Sequence, residues 1–319
     1  MKVLVTGGAG FIGSNIVDRL IEKGYDVVVV DDLSTGREEN VNAKAVFYRM
    51  DIQDPQLESV FRTEKPDYVC HQAAQKDVRF SVTDPVSDAR INILGTIDVL
   101  QNCVKYKVKK VVFASTGGAI YGEQDVFPAP ETHPARPISP YGVTKLTAEH
   151  YMYYYKAVYG LDYVSLRYSN VYGPRQDPHG EAGVVAIFIR RMLDEEQPVI
   201  NGDGEQTRDF VYVGDVAEAN ILAITNDTPE SIFNIGTGVE VSINRIFTSL
   251  KDIIQPSVEE RHGPPQQGEQ RRSVIDCTRA RELMHWEPKV SLMDGLKMTC
   301  EYFSAKRPAH SRQVDATAR

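Results

Sequence analysis

The stretch TGGAGFIGSN, residues 6–15, separates a short apolar run from a helical pattern of apolar residues. Its glycines at 7, 10 and 13 fit the spacing G-x-x-G-x-x-G, and Gly8 begins a second fit, G-x-G-x-x-G. Gly7 permits a tight turn, Gly10 lets the backbone approach a pyrophosphate, and Gly13 lets the helix pack on the strand. The stretch therefore predicts the first strand–turn–helix unit of a dinucleotide-binding sheet.

Apolar β-branched runs alternate with helical patterns through residue 169. Strands separated by helices of this length predict βαβ units and a doubly wound parallel α/β sheet. Continuous runs such as VVVV at 27–30 indicate strands that are covered on both faces. The predicted strands are 2–6, 26–30, 45–50, 67–73, 110–115 and 162–169, and the predicted helices are 12–23, 92–104 and 141–160.

The alternation ends near residue 170, where prolines and glycines separate shorter elements. We expect a smaller second lobe there, with SIFNIGTG at 231–238 returning to the sheet as a strand. The expected organisation is a Rossmann-type nucleotide-binding domain at 1–170 with a return near 209–238, a substrate-binding lobe at 171–208 and 239–305, and a disordered polar tail at 306–319.

Composition excludes several classes of function. The net charge of −8 leaves no basic surface for nucleic acid. No run of apolar residues is long enough for a membrane helix, and the start of the chain lacks a signal-peptide pattern, so we expect a cytoplasmic protein. The four cysteines lack the spacing of metal ligands, so we expect reduced structural thiols and no metal.

Acidic residues end the second and third predicted strands. Asp31 lies 18 residues after the last glycine of the motif, where a carboxylate accepts hydrogen bonds from an adenosine ribose. Its charge would repel a 2′-phosphate, which favours NAD over NADP. Asp32 is either a second ribose contact or the cap of a loop. Asp51 and Ile52 are expected at the adenine, with a strand-end turn as the alternative.

Two pairs of polar residues indicate chemistry. The stretch STGGAIYGE at 115–123 places two hydroxyls where an apolar run ends, and YGVTK places Tyr141 and Lys145 on one helix face. A neighbouring ammonium favours the phenolate form of a tyrosine, which lowers its pKa from about 10 toward the range of a general base.

These features resemble the extended short-chain dehydrogenase/reductase superfamily, in the branch that modifies nucleoside diphosphate sugars. The further motifs that carry the resemblance are HQAA, INILGTIDVL, LRYSNVYGPRQ, NGDGEQTRDFVYVGDV, FNIGTG and HWEPKVSLMDGL, so that it spans about residues 1 to 300. Within the branch the sequence is most similar to UDP-glucose 4-epimerases. The resemblance implies that NAD removes a hydride from the sugar C4 of UDP-glucose or UDP-galactose and returns it on the opposite face.

The resemblance also implies the roles of individual residues. Tyr141 is the expected base for the sugar 4-hydroxyl, and Lys145 is expected to hold the nicotinamide ribose as well. The positive nicotinamide ring is expected to act with Lys145 in lowering the pKa of Tyr141. Thr116 is expected to bond the same sugar oxygen, with Ser115 in reserve. Dehydratases and decarboxylases of the branch carry an acidic residue just after this threonine, where the present chain has glycines at 117 and 118. Elimination is therefore disfavoured.

The remaining expected contacts follow from the same resemblance. The further cofactor contacts are Phe11, Ile12, Gln72, Ala73, Ala74, Asn92 and Tyr168. The expected substrate contacts are Lys76, Ser115, Thr116, Asn170, Arg208 and Arg271. An arginine common in the family is replaced by Gln266, which shifts the diphosphate contact toward Arg271. Ser273 stands where some epimerases carry a bulky tyrosine, which suggests room for N-acetylated sugars.

Three alternatives stay open at this point. The chain could act on another nucleoside diphosphate sugar, including an N-acetylated one, or it could be a dehydratase or reductase. A non-catalytic NAD-binding regulator is the third, although the chain retains both Tyr141 and Lys145. The aromatic run HYMYYYKAVYG at 150–160 covers more than one helix face, which together with the resemblance predicts a homodimer.

Overall fold

The computed structural model describes residues 1–179, 183–266 and 270–307. Most of the predicted disordered tail, from residue 308 onward, lies outside these ranges. The described strands are β1 (Lys2–Thr6), β2 (Asp26–Asp31), β3 (Val46–Arg49), β4 (Tyr68–His71), β5 (Lys110–Thr116), β6 (Asp162–Tyr168), β7 (Asn170–Tyr172), β8 (Ile200–Asn201), β9 (Thr207–Tyr212), β10 (Ile232–Ile235), β11 (Glu240–Ser242), β12 (His262–Gly263) and β13 (Arg272–Ser273).

The α-helices of the described ranges alternate with these strands. They are α1 (Phe11–Glu22), α2 (Leu57–Glu64), α3 (Val78–Thr83), α4 (Pro85–Ala89), α5 (Gly95–Lys105), α6 (Gly117–Ile120), α7 (Pro140–Tyr159), α8 (Val184–Leu193), α9 (Val213–Thr225), α10 (Ile243–Ile254), α11 (Thr278–Met284) and α12 (Leu292–Ala305). A 3-10 turn spans Glu38–Asn40, and a π-helical turn at Arg90–Leu94 leads into α5.

The central sheet is parallel throughout and has the order β3-β2-β1-β4-β5-β6-β10. This order confirms the predicted doubly wound Rossmann-type fold. It reverses between β1 and β4, and ligands of such sheets bind at the carboxyl ends of the strands beside that reversal. The return of the chain as β10, beside β6, supplies the seventh strand.

Apolar side chains cover both faces of the sheet, as its continuous valine runs require. One face packs against α1 and α9 through side chains such as Val17 and Ile221. The other packs against α2, α5 and α7 through side chains such as Phe61, Leu100 and Met152. No helix in the described ranges has the length and apolar character needed to cross a membrane.

The smaller lobe has its own sheet, in which β9 pairs with β7, β11 and β13. A third apolar cluster joins this sheet to α8, α10 and α12. β9 pairs with lobe strands, whereas its Val211 packs in the cluster beside α1 and α9, so the return of the chain near residue 209 stays a prediction. Residues 275–286 depart from the expected division, since Ile275, Ala280 and Trp286 pack in the cluster beside α1 and α9.

Candidate active site

The glycine loop between β1 and α1 is shaped by two close contacts. Gly7 has a φ of +67°, and a Cβ on it would lie 2.6 Å from the Ala73 nitrogen. A Cβ on Gly13 would lie 2.1 Å from the Gly7 oxygen. A Cβ on Gly10 would have one neighbour within 4 Å, the Gly7 oxygen in a tight contact at 3.2 Å, and the rest of the space around it is open. The loop thus forms a cradle that a side chain at Gly10 would fill.

The start of α1 makes this cradle suitable for a pyrophosphate. Phe11 and Ile12 are the first two residues of the helix, and the N–H groups of a first helical turn have no partners within the helix. Together with the positive end of the helix dipole, they attract an anion. The residues present therefore fit the diphosphate of a dinucleotide.

The Asp31 carboxylate organises the same loop. Its Oδ2 accepts a hydrogen bond from the Ala9 N–H at 2.9 Å, and its Oδ1 accepts one from the Leu33 N–H at 2.9 Å. Burial raises the pKa of Asp31, and the backbone N–H donors oppose that rise. A carboxylate has about four acceptor positions, so acceptor capacity remains for ribose hydroxyls. Asp32 accepts from both the Ser34 N–H and the Ser34 hydroxyl, which makes it the cap of a loop.

The adenine contacts expected at 51 and 52 have structural roles here. The Asp51 Oδ1 accepts from the Gln53 N–H at 2.8 Å, which is the strand-end turn. Ile52 is buried, and a Cβ on Gly95 would lie 2.7 Å from its Cδ1. The Ile52 side chain therefore packs on α5, and a role at the adenine stays a prediction.

The segment 72–74 leaves β4 beside the glycine loop. The Gln72 amide nitrogen lies 3.2 Å from Asn220 Oδ1 and 3.4 Å from Tyr168 Oη. Asn220, on α9, also donates to Tyr168 Oη at 2.9 Å. The Tyr168 hydroxyl is thus held by neighbours, and its buried ring lies opposite Thr116 in the pairing of β6 with β5.

A buried histidine beneath this segment was not anticipated from the sequence. His71 Nδ1 lies 2.7 Å from Thr6 Oγ1, and Nε2 lies 3.0 Å from Thr96 Oγ1. The Thr96 hydroxyl donates to the Asn92 carbonyl, so it accepts from Nε2–H and leaves Nδ1 to accept from Thr6. Burial, with a contribution from the Lys145 charge, lowers the pKa of His71 to about 3. The imidazole is therefore neutral.

Helix α7 carries the expected base and lysine. It begins after Ser139, whose hydroxyl accepts from the Gly142 N–H at 3.2 Å. The Lys145 ammonium lies 6.0 Å from the centre of the Tyr141 ring and donates to the Ala114 carbonyl at 2.9 Å. The two side chains therefore stand together at the carboxyl end of β5, one turn apart.

Burial shifts the pKa of both groups toward their neutral forms. It lowers the pKa of Lys145 to about 8, against the effect of the Asp88 and Glu149 carboxylates. It raises the pKa of Tyr141 above its ordinary value, and Asp88 adds to that rise. The expected lowering of the Tyr141 pKa combines the Lys145 ammonium with the positive nicotinamide ring, and it stays a prediction. The nicotinamide is the further positive charge on which that lowering depends.

The two hydroxyls that end β5 face different surroundings. The Ser115 hydroxyl donates to Glu149 Oε1 at 2.6 Å, and Arg167 binds both oxygens of that carboxylate at 3.0 and 2.7 Å. Ser115 is 3 % exposed. The Ser115 hydroxyl is therefore held by Glu149, and its expected role as a substrate contact stays a prediction. Thr116 Oγ1 accepts from the Ala119 N–H at 3.2 Å, which leaves its hydrogen available to donate.

The Asn92 side chain also forms its hydrogen bonds with other residues of the protein. Its side-chain oxygen accepts from the Gln75 N–H at 2.9 Å, and its nitrogen donates to the Gln75 carbonyl at 2.9 Å. The same nitrogen lies 3.1 Å from Asp88 Oδ1 and 3.2 Å from Thr144 Oγ1. Asn92 is 3 % exposed, and its predicted contact with the cofactor stays a prediction. It holds the loop after β4 against α7.

Sequence analysis missed four polar residues that build this site: His71, Gln75, Asp88 and Glu149. A signal for two of them was present. Glu149 follows Lys145 by four residues, and Asp88 precedes Asn92 by four, so each lies on the same helix face as an expected site residue.

The smaller lobe contains a cavity of about 750 Å³. Its lining includes Asp203, His262, Gln266 and Arg271. The Arg271 guanidinium binds the two Asp203 oxygens at 2.7 and 3.0 Å. The cavity therefore presents one of the two predicted diphosphate arginines.

The other expected substrate contacts lie around this region. Arg208, on β9, donates to the Thr207 carbonyl at 2.7 Å and pairs in register with Ser273. Asn170 is the first residue of β7 and is partly buried, whereas Lys76 is exposed on the loop before α3. None of these three is among the residues that line the cavity within the described ranges.

Comparison with known proteins agrees with this geometry. Residues 3–236 match the model of the NAD dependent epimerase/dehydratase family. A putative UDP-glucose 4-epimerase of Methanocaldococcus jannaschii is 50% identical over 295 residues, which are 92% of this chain and 96% of that protein. The crystal structure of Thermotoga maritima UDP-glucose 4-epimerase with UDP-glucose has a TM-score of 0.93 and 53% identity, over 96% of this chain and 99% of that one.

A second solved structure was crystallised with the cofactor. The Thermus thermophilus UDP-glucose 4-epimerase in complex with NAD has a TM-score of 0.91 and 46% identity, over 96% of this chain and 100% of that one. The family match covers most of the sheet and the candidate active site. This chain therefore belongs to the NAD dependent epimerase/dehydratase family.

Proposed function

We propose that this chain is an NAD-dependent UDP-glucose 4-epimerase that interconverts UDP-glucose and UDP-galactose. One observation carries the proposal. Tyr141 and Lys145 stand one helical turn apart at the end of β5 where Thr116 lies, and the two residues after this threonine are glycines without acidic side chains. The site can therefore move a hydride and a proton at C4, and it lacks the usual acid for elimination.

Different residues of the chain bind the different parts of NAD. The glycine loop and the first turn of α1 bind the pyrophosphate, and Asp31 accepts from the adenosine ribose. Lys145 donates to the nicotinamide ribose. When bound, NAD supplies the hydride acceptor and the further positive charge that the site requires. That charge favours the Tyr141 phenolate.

The reaction at C4 is balanced by one proton and one hydride. Tyr141 takes the proton of the sugar 4-hydroxyl as the hydride leaves C4, and the O–H and C–H bonds break to give a 4-keto sugar. The Thr116 hydroxyl donates to the same oxygen. A Cβ on Gly118 would meet nothing closer than 3.9 Å, so the site leaves space for the keto sugar to turn. The hydride then returns to the opposite face, and Tyr141 returns the proton.

The nucleotide is proposed to bind in the 750 Å³ cavity of the smaller lobe. Arg271 is held there by Asp203, in the bidentate geometry that also suits phosphate oxygens. Arg208, Asn170 and Lys76 are proposed as further contacts of the substrate.

A second candidate substrate is the N-acetylated pair, UDP-N-acetylglucosamine and UDP-N-acetylgalactosamine. Ser273, the last residue of β13, follows the ion-paired Arg271 and Arg272 and is a small buried residue in register with Arg208. A small side chain there leaves more room at sugar C2 than a tyrosine would. Both sugars share the chemistry at C4.

We also propose that the protein is a cytoplasmic homodimer. Exposed apolar side chains on α7 include Val143, Tyr154 and Val158, and Leu94 of the neighbouring π-helical turn is 53 % exposed. The α7 residues are spaced so that they share one face of the helix. An apolar face of this kind is typical of an interface between copies. The four cysteines are free and buried, which is usual in a reducing compartment.

The proposal is tested by incubating the purified protein with UDP-galactose, with and without added NAD, and separating the products by anion exchange. We expect UDP-glucose to form. Tyr141→Phe should lower kcat by about 100-fold or more, because general-base catalysis is lost. Tyr153→Phe is the matched control, since Tyr153 lies on the same helix and is 65 % exposed. A wild-type protein that converts neither UDP-galactose nor its N-acetylated analogue would contradict the proposal.

A further inference from the structure

We propose that Asp88 is a positioning residue of this site, whose buried carboxylate anchors the turn of α7 that carries Tyr141 and Lys145 and places a negative charge beside that turn. The inference deepens the proposed function and rests on it for one of its two measurements.

Asp88 lies at the centre of a buried set of hydrogen bonds. It is 0 % exposed, on the short helix α4. Its Oδ2 accepts from the Thr144 hydroxyl at 2.8 Å, and its Oδ1 accepts from the Gln75 amide at 2.7 Å and from the Asn92 amide at 3.1 Å. Amide groups donate both bonds at Oδ1. An ionised carboxylate, which only accepts, fits this arrangement.

Thr144 links this carboxylate to the catalytic turn. It directly precedes Lys145, and its Oγ1 lies 3.0 Å from the Tyr141 carbonyl. The Asp88 carboxylate therefore fixes the backbone from 141 to 145. Through Gln75 and Asn92 it also joins this turn to the loop after β4.

Hydrogen bonding alone does not explain an aspartate here. An asparagine could accept from Gln75 and Asn92 with its oxygen and donate to Thr144 with its nitrogen, because the Thr144 hydrogen can go to the Tyr141 carbonyl. A buried charge costs more than a buried amide unless it is compensated. The ion pairs among the described residues do not include Asp88. Asp88 accepts from Thr144, the residue directly before Lys145, which makes Lys145 the cation that its charge would compensate.

The other titratable groups described near Lys145 differ from Asp88, because each is either paired with another cation or neutral. Glu149, one turn further along α7, is bound by Arg167 through both oxygens. His71, on β4, is neutral because burial lowers its pKa to about 3. Burial lowers the pKa of Lys145 itself to about 8, and the Asp88 carboxylate opposes that shift. Asp88 also raises the pKa of Tyr141, the remaining titratable neighbour.

The test is Asp88→Asn, which removes the charge and can keep the hydrogen bonds. Without the carboxylate, Lys145 loses its proton at lower pH and the Tyr141 phenolate forms at lower pH. Both limbs of the pH profile of kcat/KM for UDP-galactose should move down by about one unit, with little change in KM. Asp84→Asn is the matched control. It removes a partly exposed charge from the N-cap of the same helix, where asparagine caps as well as aspartate does, and should leave the profile unchanged.

A second measurement does not depend on activity. NMR of the holoenzyme labelled with ¹³C at lysine Cε follows the titration of Lys145, whose signal is identified by its loss in Lys145→Met. The midpoint in Asp88→Asn should lie about one pH unit below that of the wild type. If the wild type converts no UDP-sugar, the proposed function fails, and this titration alone decides the role of Asp88.

Three results would overturn the inference. The first is a Lys145 midpoint in Asp88→Asn equal to that of the wild type. The second is a uniform loss of activity with unmoved pH limbs, which is what a structural role produces. The third is failure of Asp88→Asn to fold, because this would contradict the exchange of hydrogen bonds through Thr144.

Discussion

At the scale of single residues, Lys145 couples function to stability. The side chain is 4 % exposed, and its ammonium has one neutral backbone acceptor, the Ala114 carbonyl. Burial holds its pKa at about 8, below the value of about 10.4 that is ordinary for lysine. A folded-state pKa below the unfolded one means that the unfolded chain binds more protons between these two values. The wild-type free energy of unfolding therefore rises with pH across this window.

Replacing this lysine should remove that dependence. In Lys145→Met, the contribution of the group to the pH dependence of stability disappears. From pH 8 to pH 9.5, the free energy of unfolding of the wild type should rise by about 2 kcal/mol relative to that of the variant. Urea unfolding at several pH values measures this change. A difference that stays constant with pH would contradict the burial of a charged Lys145. Lys156→Met, on the exposed part of the same helix, is the control.

At the scale of elements, two glycines of the loop have different roles: Gly13 is needed for packing and Gly10 for binding the cofactor. We expect Gly13→Ala to lower the melting temperature, because its Cβ would lie 2.1 Å from the Gly7 oxygen. We expect Gly10→Ala to lower the melting temperature far less and to bind NAD at least tenfold more weakly, because its Cβ would meet only the Gly7 oxygen at 3.2 Å and would otherwise enter the cradle. Thermal unfolding and NAD titration distinguish the two. Normal NAD affinity in a folded Gly10→Ala protein would contradict the assignment of the cradle.

Sequence patterns predicted the elements well because apolar periodicity and glycine spacing are local. The strands at 2–6 and 26–31 and the helix that carries Tyr141 and Lys145 follow from residues close in the chain. Side-chain direction was harder to predict. Neighbouring residues on a strand point to opposite faces, so only one of Ser115 and Thr116 could face the site.

The hydrogen-bond partners of buried polar residues could not be read from local patterns. Asn92 binds Gln75 and Thr144, which lie 17 and 52 residues away, and only the tertiary fold brings them together. Asp88 belongs to the same set of contacts. The short helix α4 that carries it lacks the length needed for a periodic signal.

At the scale of the whole molecule, the proposed homodimer has a direct test. Sedimentation equilibrium at micromolar protein should give twice the mass of one chain. Val158→Asp should shift the mass toward one chain, because a charge would be buried in the proposed interface. Val126→Asp, at an exposed valine outside α7, should leave the dimer intact. A wild-type mass equal to one chain would contradict the proposal.

The fold places the components of catalysis at one edge of one sheet. The glycine loop after β1, the segment after β4 and the Thr116 end of β5 lie side by side at the carboxyl ends of adjacent strands. The smaller lobe adds the cavity that contains Arg271. This arrangement supports a reaction in which one bound cofactor both removes and returns the same hydride.

The measurement that tests this claim most directly uses UDP-galactose carrying deuterium at C4. The protein converts it in ordinary water, and NMR of the UDP-glucose product reports whether deuterium remains at C4. We expect the UDP-glucose product to retain all of its deuterium at C4, because a hydride that passes to NAD and back does not exchange with solvent. Product that carries hydrogen from water at C4 would contradict the transfer of a hydride, since inversion would then proceed by removing a proton from carbon.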